Sequence, residues 1–278
     1  MSTSDQAHRL NQRINAASAR NGVPVARLRN RIAYQRMLAR LSLDQAWVLK
    51  GGFSLEVRLG LVARATKDLD LWRLGPPLGD PLDVQDLLDE ALDHDLHDGF
   101  TFRVGQPRHM HIPDAEPSTW RISVHTFFHG STFAQSSVDL VTSDHVAPDE
   151  SEPLTVQPTV VGDPFTVQTI DLARHAAEKY HACLRIYAND RPSTRVKDLV
   201  DLVLLIDNDL IDPARLRAAL TRVFAERHAA VPPRSLPDHP PADWGPTYIR
   251  LAAETGATVD NVDQAWALAQ QTYRTATQ

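Results

Sequence analysis

Apolar residues recur at two different spacings along this chain, and the change between them divides it. From Val23 to Leu43 the positions Val25, Leu28, Ile32, Met37 and Leu41 repeat at helical intervals among arginines, which predicts an amphipathic helix. The strand-type run Trp47-Val48-Leu49 follows, Gly51-Gly52 breaks the chain, and Phe53 to Gly60 starts a new helix. Ala65 to Leu74 alternates, so that Leu69 and Leu71 share one face of a strand and Asp68 and Asp70 the other. Asp83 to Leu96 returns to helical spacing. Three runs, Phe100 to Val104, Trp120 to Phe128 and Ser136 to Val141, read as strands, antiparallel neighbours because their connections are too short for crossover helices. The pair Phe127-Phe128 is expected in the sheet core. A Pro-containing stretch from Ala147 to Pro164 predicts a boundary, and beyond it helices are expected over Asp171 to Tyr187, Val196 to Ile206, Pro213 to His228 and Val259 to Tyr273. The expected architecture is a mixed α/β domain over residues 1–160 and a helical domain over 161–278.

Composition narrows the class. With 278 residues, 42% hydrophobic and 23% charged, the chain can bury its core without covalent help. Its single cysteine, Cys183, excludes a disulfide scaffold and a Cys-rich zinc module, and it suits a reducing compartment. No apolar run reaches the roughly 18 residues of a membrane span, and the polar N-terminus lacks the apolar region of a secretory signal. A cytoplasmic protein with no membrane partner is expected.

Charge is distributed unevenly. Residues 1–40 carry eight arginines against Asp5, whereas residues 68–100 carry ten acids against Arg73. The basic stretch is a candidate polyanion surface, and Arg27, Arg31 and Arg36 fall near one helical face, marking them as candidate contacts to such a polyanion, the RNA contacts if the partner is RNA. The basic residues comprise 25 arginines and four lysines, Lys50, Lys67, Lys179 and Lys197. In so arginine-biased a chain, lysine stays where a compact ammonium is wanted.

The candidate chemistry gathers around those lysines. Asp68 and Asp70, two apart on a strand, point the same way with α-carbons about 6–7 Å apart, a spacing at which they can share a divalent cation. The preceding Gly-Gly turn and helix start can present backbone N–H groups to an anion. Asp139, between Val138 and Leu140, is the candidate for a third strand carboxylate, a base or further metal ligand, with Asp144 in reserve. Asp198 and Asp201 lie three apart on one helix face near Arg195 and Lys197, and either one could face a substrate. The pairs His94/His97 and His109/His111 have ligand-like spacing, but no second cluster joins them.

Lys50-Gly51-Gly52-Phe53-Ser54, followed by Arg64-Ala65-Thr66-Lys67-Asp68-Leu69-Asp70, resembles the first motif of the DNA polymerase β-type nucleotidyltransferases. It is similar in particular to the AbiEii/AbiGii toxin family, which includes the MenT toxins. Glu178-Lys179, and Arg195-Val-Lys197-Asp198-Leu-Val-Asp201, resemble that family's later motifs. The resemblance implies a polymerase β-like α/β core with a mixed sheet, completed by a helical C-terminal domain. It implies transfer of a nucleoside monophosphate from an NTP, with pyrophosphate released. Asp68 and Asp70 would hold Mg²⁺ and Lys179 would neutralise the triphosphate, with Asp198 or Asp201 beside it across the cleft. Lys50, Gly51, Gly52, Ser54, Thr66, Lys67, Arg195 and Lys197 would contact the nucleotide. The acceptor would be RNA, the tRNA 3′ end in the MenT branch, and the protein partner a cognate antitoxin. Two rival readings are an enzyme acting on a small molecule or protein, which needs no extended basic surface, and a non-enzymatic binding protein of the same fold, which needs neither acid.

Overall fold

The structure, a computed structural model, describes residues 2–110, 119–143, 150–228 and 230–278. Asp144 and His111 lie outside the described residues. The chain divides into two compact units, the first running to Arg58 and resuming over Ala65–Thr169, the second made of Leu59–Arg64 and Ile170–Gln278.

The first unit is built on one mixed sheet. Its strands are β1 (Trp47–Lys50), β2 (Asp68–Leu74), β3 (Phe100–Val104), β4 (Arg108–Met110), β5 (Thr119–Phe128), β6 (Ser131–Ser143), β7 (Ser151–Val156) and β8 (Phe165–Ile170), in the order β3-β5-β6-β2-β1-β8-β7 with β4 also paired to β5. β2 runs parallel to β6 and antiparallel to β1, and β5 runs antiparallel to β6. The β5–β6 hairpin turns on His129-Gly130, both at positive φ (47° and 78°), the backbone that a tight two-residue turn between right-twisted strands requires. This turn lets β6 begin five residues earlier than its apolar run suggests.

The stretch read as a boundary instead contains β7 and leads into β8, so the first unit continues to Thr169. Pro153 hid the strand, and β7 lies at the end of the sheet order, where a missing backbone donor is tolerated.

Four helices complete this unit: α1 (Thr3–Asn21), α2 (Val25–Leu41), α3 (Gly51–Leu59) and α4 (Pro81–Leu92). The polar α1, unforeseen in the pattern, begins at a reciprocal cap between Ser2 and Asp5 and ends at Gly22 in the left-handed conformation. Tyr34, Met37 and Leu38 of α2, Phe53 of α3, and Val84 and Leu88 of α4 join Leu49, Leu69, Leu71, Ile122, Val138 and Leu140 in one core on one face of the sheet. Alternation along the strands therefore sends Asp68, Asp70, Arg121 and Asp139 to the opposite face.

The second unit is helical: α5 (Leu172–Leu184), α6 (Val196–Asp207), α7 (Pro213–His228), α8 (Gly245–Ala252) and α9 (Val262–Thr277). Asp171 caps α5 by accepting hydrogen bonds from the backbone N–H groups of Ala173 and Arg174. α6 packs against α5, α8 and α9 and is buried on nearly every side, including Asp198 and Asp201.

Candidate active site

Strand register lines up four charged residues across the polar face of the sheet. Lys50 stands opposite Asp70, Asp70 opposite Asp139, and Asp139 opposite Arg121. Asp68 lies one pleat along β2 from Asp70, on the same side, while Leu69 between them is buried. The row is thus cation, anion, anion, cation, with Asp68 as a third acid beside it.

The Gly-Gly turn fits this row closely. Gly51 has φ +62°, and a Cβ added there would fall 1.8 Å from Oδ2 of Asp70. Only glycine allows the start of α3 to approach that carboxylate. The turn entering β2 is held by Thr66, whose hydroxyl donates to the Asp68 carbonyl at 3.1 Å, and by the Tyr34 hydroxyl, which donates to the Lys67 carbonyl at 2.7 Å. Burial first, and then the charges of Asp68, Glu56 and Asp70, push the Tyr34 phenol upwards, so it stays a neutral donor.

Arg121 was not singled out by pattern. Its Nε and one terminal nitrogen donate to both carboxylate oxygens of Asp139 at 2.7 and 2.6 Å, and that nitrogen lies 3.8 Å from Asp68. The hydrogen bond to Asp139, outweighing partial burial and helped by nearby acid charges, raises the Arg121 guanidinium further above its usual range. The only sequence signal was an arginine at an outward position of a strand otherwise rich in apolar and β-branched residues.

The acids suit a hard divalent cation. Two half-buried carboxylates on one strand face supply oxygen donors, and Mg²⁺ is commonly held by one or two carboxylates together with substrate phosphates. Among the described residues no group of three or more His, Cys, Asp or Glu side chains is arranged to hold a metal, and Asp139 is directed to Arg121.

In the helical unit a second cluster is assembled around Lys179. Its ammonium donates to Asp198 at 3.1 Å and to Asp201 at 2.6 Å. Arg64 donates to both oxygens of Asp201 at 2.9 and 3.0 Å, and Arg195 to Asp198 at 2.6 Å. Lys179, Asp198 and Asp201 are buried. Burial opposes ionisation of all three, yet the mutual charges win. Lys179 is held above its ordinary value, Asp201 below, and Asp198 is pulled down to about 2. Both carboxylates thus meet the same lysine, and sequence spacing had no means of showing that Arg64, more than a hundred residues away, joins them.

Other expected site residues are placed differently. Ser54 is buried, and its hydroxyl pairs at 3.1 Å with that of Thr169, which donates to the Leu49 carbonyl. It ties α3 to the sheet and does not face the polar surface. Lys50 stacks 3.8 Å from the Trp72 ring centroid. Lys67 and Lys197 are exposed.

The expected RNA contacts on α2 are corrected. Arg31 is buried, lies 3.0 Å from Glu56 and donates to the Glu56 carbonyl and to Thr159. Arg27 lies 3.7 Å from the same carboxylate. Arg36 is buried 3.7 Å from Asp98, whose carboxylate is also gripped by Arg40. Burial lowers the Arg36 guanidinium despite Asp98. These arginines neutralise internal acids distant in sequence, so helical spacing alone misassigned them to the surface.

Strand acids beside a glycine turn on a mixed sheet, followed by a helical unit, are consistent with the nucleotidyltransferase class. A family model described as "Nucleotidyl transferase AbiEii toxin, Type IV TA system" matches residues 32–272, and the chain belongs to this family of toxins of type IV toxin–antitoxin systems. Among solved structures it is similar to MenT4, a nucleotidyltransferase toxin from Mycobacterium tuberculosis H37Rv, at a TM-score of 0.57 and 20% identity over 89% of this chain and 82% of that one. No curated protein matches.

Proposed function

We propose that this toxin transfers a nucleoside monophosphate from an NTP to the 3′ end of an RNA, tRNA being the expected acceptor, and releases pyrophosphate. The observation that carries this reading is the Asp68/Asp70 pair on the polar sheet face against the glycine turn at Gly51. Asp68 and Asp70 would hold Mg²⁺, which supplies charge neutralisation at the phosphates. The acceptor hydroxyl oxygen forms a bond to the α-phosphorus, the bond from that phosphorus to the bridging oxygen breaks, and the hydroxyl proton leaves to solvent or a base. Gly51 and Gly52 let backbone N–H groups approach phosphate oxygens. The Lys179 cluster, three cations against two carboxylates, carries one surplus positive charge suited to an anion.

A cognate antitoxin follows from the family, and a cytoplasmic setting suits an acceptor RNA. No described helix is long and apolar enough to cross a membrane. The test is to incubate the pure protein and Mg²⁺ with each labelled NTP and total RNA. Label in RNA of tRNA size, with pyrophosphate released and both abolished by chelation, is expected. Label appearing only in protein or in a small molecule would replace the acceptor.

A further inference from the structure

The polar face of the sheet continues past the carboxylates towards β3 and β4, and there it changes sign. Arg121 of β5 stands directly opposite Arg108 of β4, and both are exposed. Like charges directly opposite each other on a sheet face destabilise it. Arg121 is partly compensated by Asp139, whereas among the described residues no carboxylate lies within ion-pair distance of Arg108. Four residues along β5, on the same face, His125 stands opposite the exposed Arg103 of β3. The Arg103 guanidinium lies 5.4 Å from the ring centroid of Phe127, and that ring is only half-buried, unlike that of its neighbour Phe128 in the core. The step from Arg121 to Phe127 spans about 20 Å of strand, room for a few nucleotides.

We infer that this face binds the single-stranded 3′ segment of the acceptor RNA, with Arg108 and Arg103 on its phosphates and Phe127 beneath a base, leading its end to Asp68 and Asp70. The inference rests on the RNA reading of the preceding subsection. An anion between Arg108 and Arg121 removes the repulsion that the free sheet carries, and a half-buried ring beside a guanidinium on the polar sheet face is a stacking platform for unpaired bases. A segment of this kind meets cations and an aromatic ring along β5 and reaches acids only at its end, the charge order that a polyanion delivering a terminal hydroxyl needs.

The test compares the wild type with the double variant Arg103→Gln/Arg108→Gln and with Phe127→Leu. Binding of a labelled single-stranded oligoribonucleotide is followed by fluorescence anisotropy at several salt concentrations, alongside NTP affinity and thermal melting. The double variant should bind about tenfold or more weakly, with the slope of log affinity against log salt flatter by roughly 0.7 for each arginine. Phe127→Leu should lose about tenfold with an unchanged slope. NTP affinity should stay within about twofold of wild type. Oligonucleotide binding unchanged in both variants, while the wild type still labels RNA, would overturn this surface and leave the RNA reading standing. Parallel loss of NTP affinity would reassign the arginines to the triphosphate. A wild type that neither binds the oligonucleotide nor labels RNA would remove the acceptor itself, and this surface with it.

Discussion

The two charged clusters of this protein use the same residue types in opposite ways. On the sheet of the first unit, Asp68, Asp70 and Asp139 share one face, and the guanidinium that engages Asp139 is itself 44% exposed. In the helical unit, Asp198 and Asp201 are buried and each accepts hydrogen bonds from Lys179 and an arginine. Like charges left together at a surface cost stability and attract a cation. Opposite charges sealed together are committed to one another, and removing one strands the rest. The first arrangement leaves acids side by side on one strand face, whereas the second satisfies its carboxylates internally and leaves one positive charge over.

Exchange of one acid in each cluster separates the two roles. Asp70→Asn, and likewise Asp68→Asn, should lower nucleotidyl transfer by about 10²–10³-fold or more while the melting temperature without metal stays level or rises. A variant of either acid retaining near wild-type transfer at saturating Mg²⁺ would place the reaction elsewhere.

Lys179→Ala leaves two buried carboxylates facing each other beside arginines, and should cost about 3–5 kcal/mol in urea unfolding. Wild-type stability with a specific loss of nucleotide affinity would show that the ammonium serves substrate rather than fold.

Acidity and alkalinity should find the helical cluster from both sides. Asp198 titrates at about 2 in the folded chain against 3.8 for an ordinary aspartate, so the unfolded chain binds more protons between those values. Its contribution is complete above pH 3.8 and is lost as pH falls towards 2. Lys179 is raised above 10.5, so its contribution is complete below that pH and is lost as pH rises through the folded value. Urea midpoints between these limits should therefore be flat with respect to this cluster, and an Asp198→Asn variant should show a smaller acid limb, the remainder belonging to Asp201, which is also held below its ordinary value.

The smallest change is expected at Arg121→Gln, where exposure limits the pair with Asp139 to about 1 kcal/mol or less. A loss of several kcal/mol in its thermal melt would mean that the sheet face is sealed like the helical cluster, and the contrast would fail.

The arginines of α2 show where pattern stops. Arg31 and Arg36 have the same spacing whether they meet water, RNA or a buried acid, and only folding brought Glu56 and Asp98 to them. The pattern also omitted α1, whose polar sequence is held by its cap and by Leu10, Ile14 and Ala17, as well as β7 and α8, an edge strand and a short helix after a Pro-rich loop.

What the sequence determined by itself was local in origin. Alternation over Asp68 to Leu74 put both acids on one strand face, glycines marked the turn at residue 51, and 3.6-residue periodicity marked α5, α6 and α7 to within a few residues. The motif residues, being short and contiguous, were enough to indicate the family. Only the tertiary structure decided which charges meet. Register across β2, β6 and β5 aligned Asp70, Asp139 and Arg121, and packing brought Arg64 to Asp201. The reason is physical: periodicity reports which side of an element is buried, whereas an ion pair depends on distances between elements that no local spacing encodes.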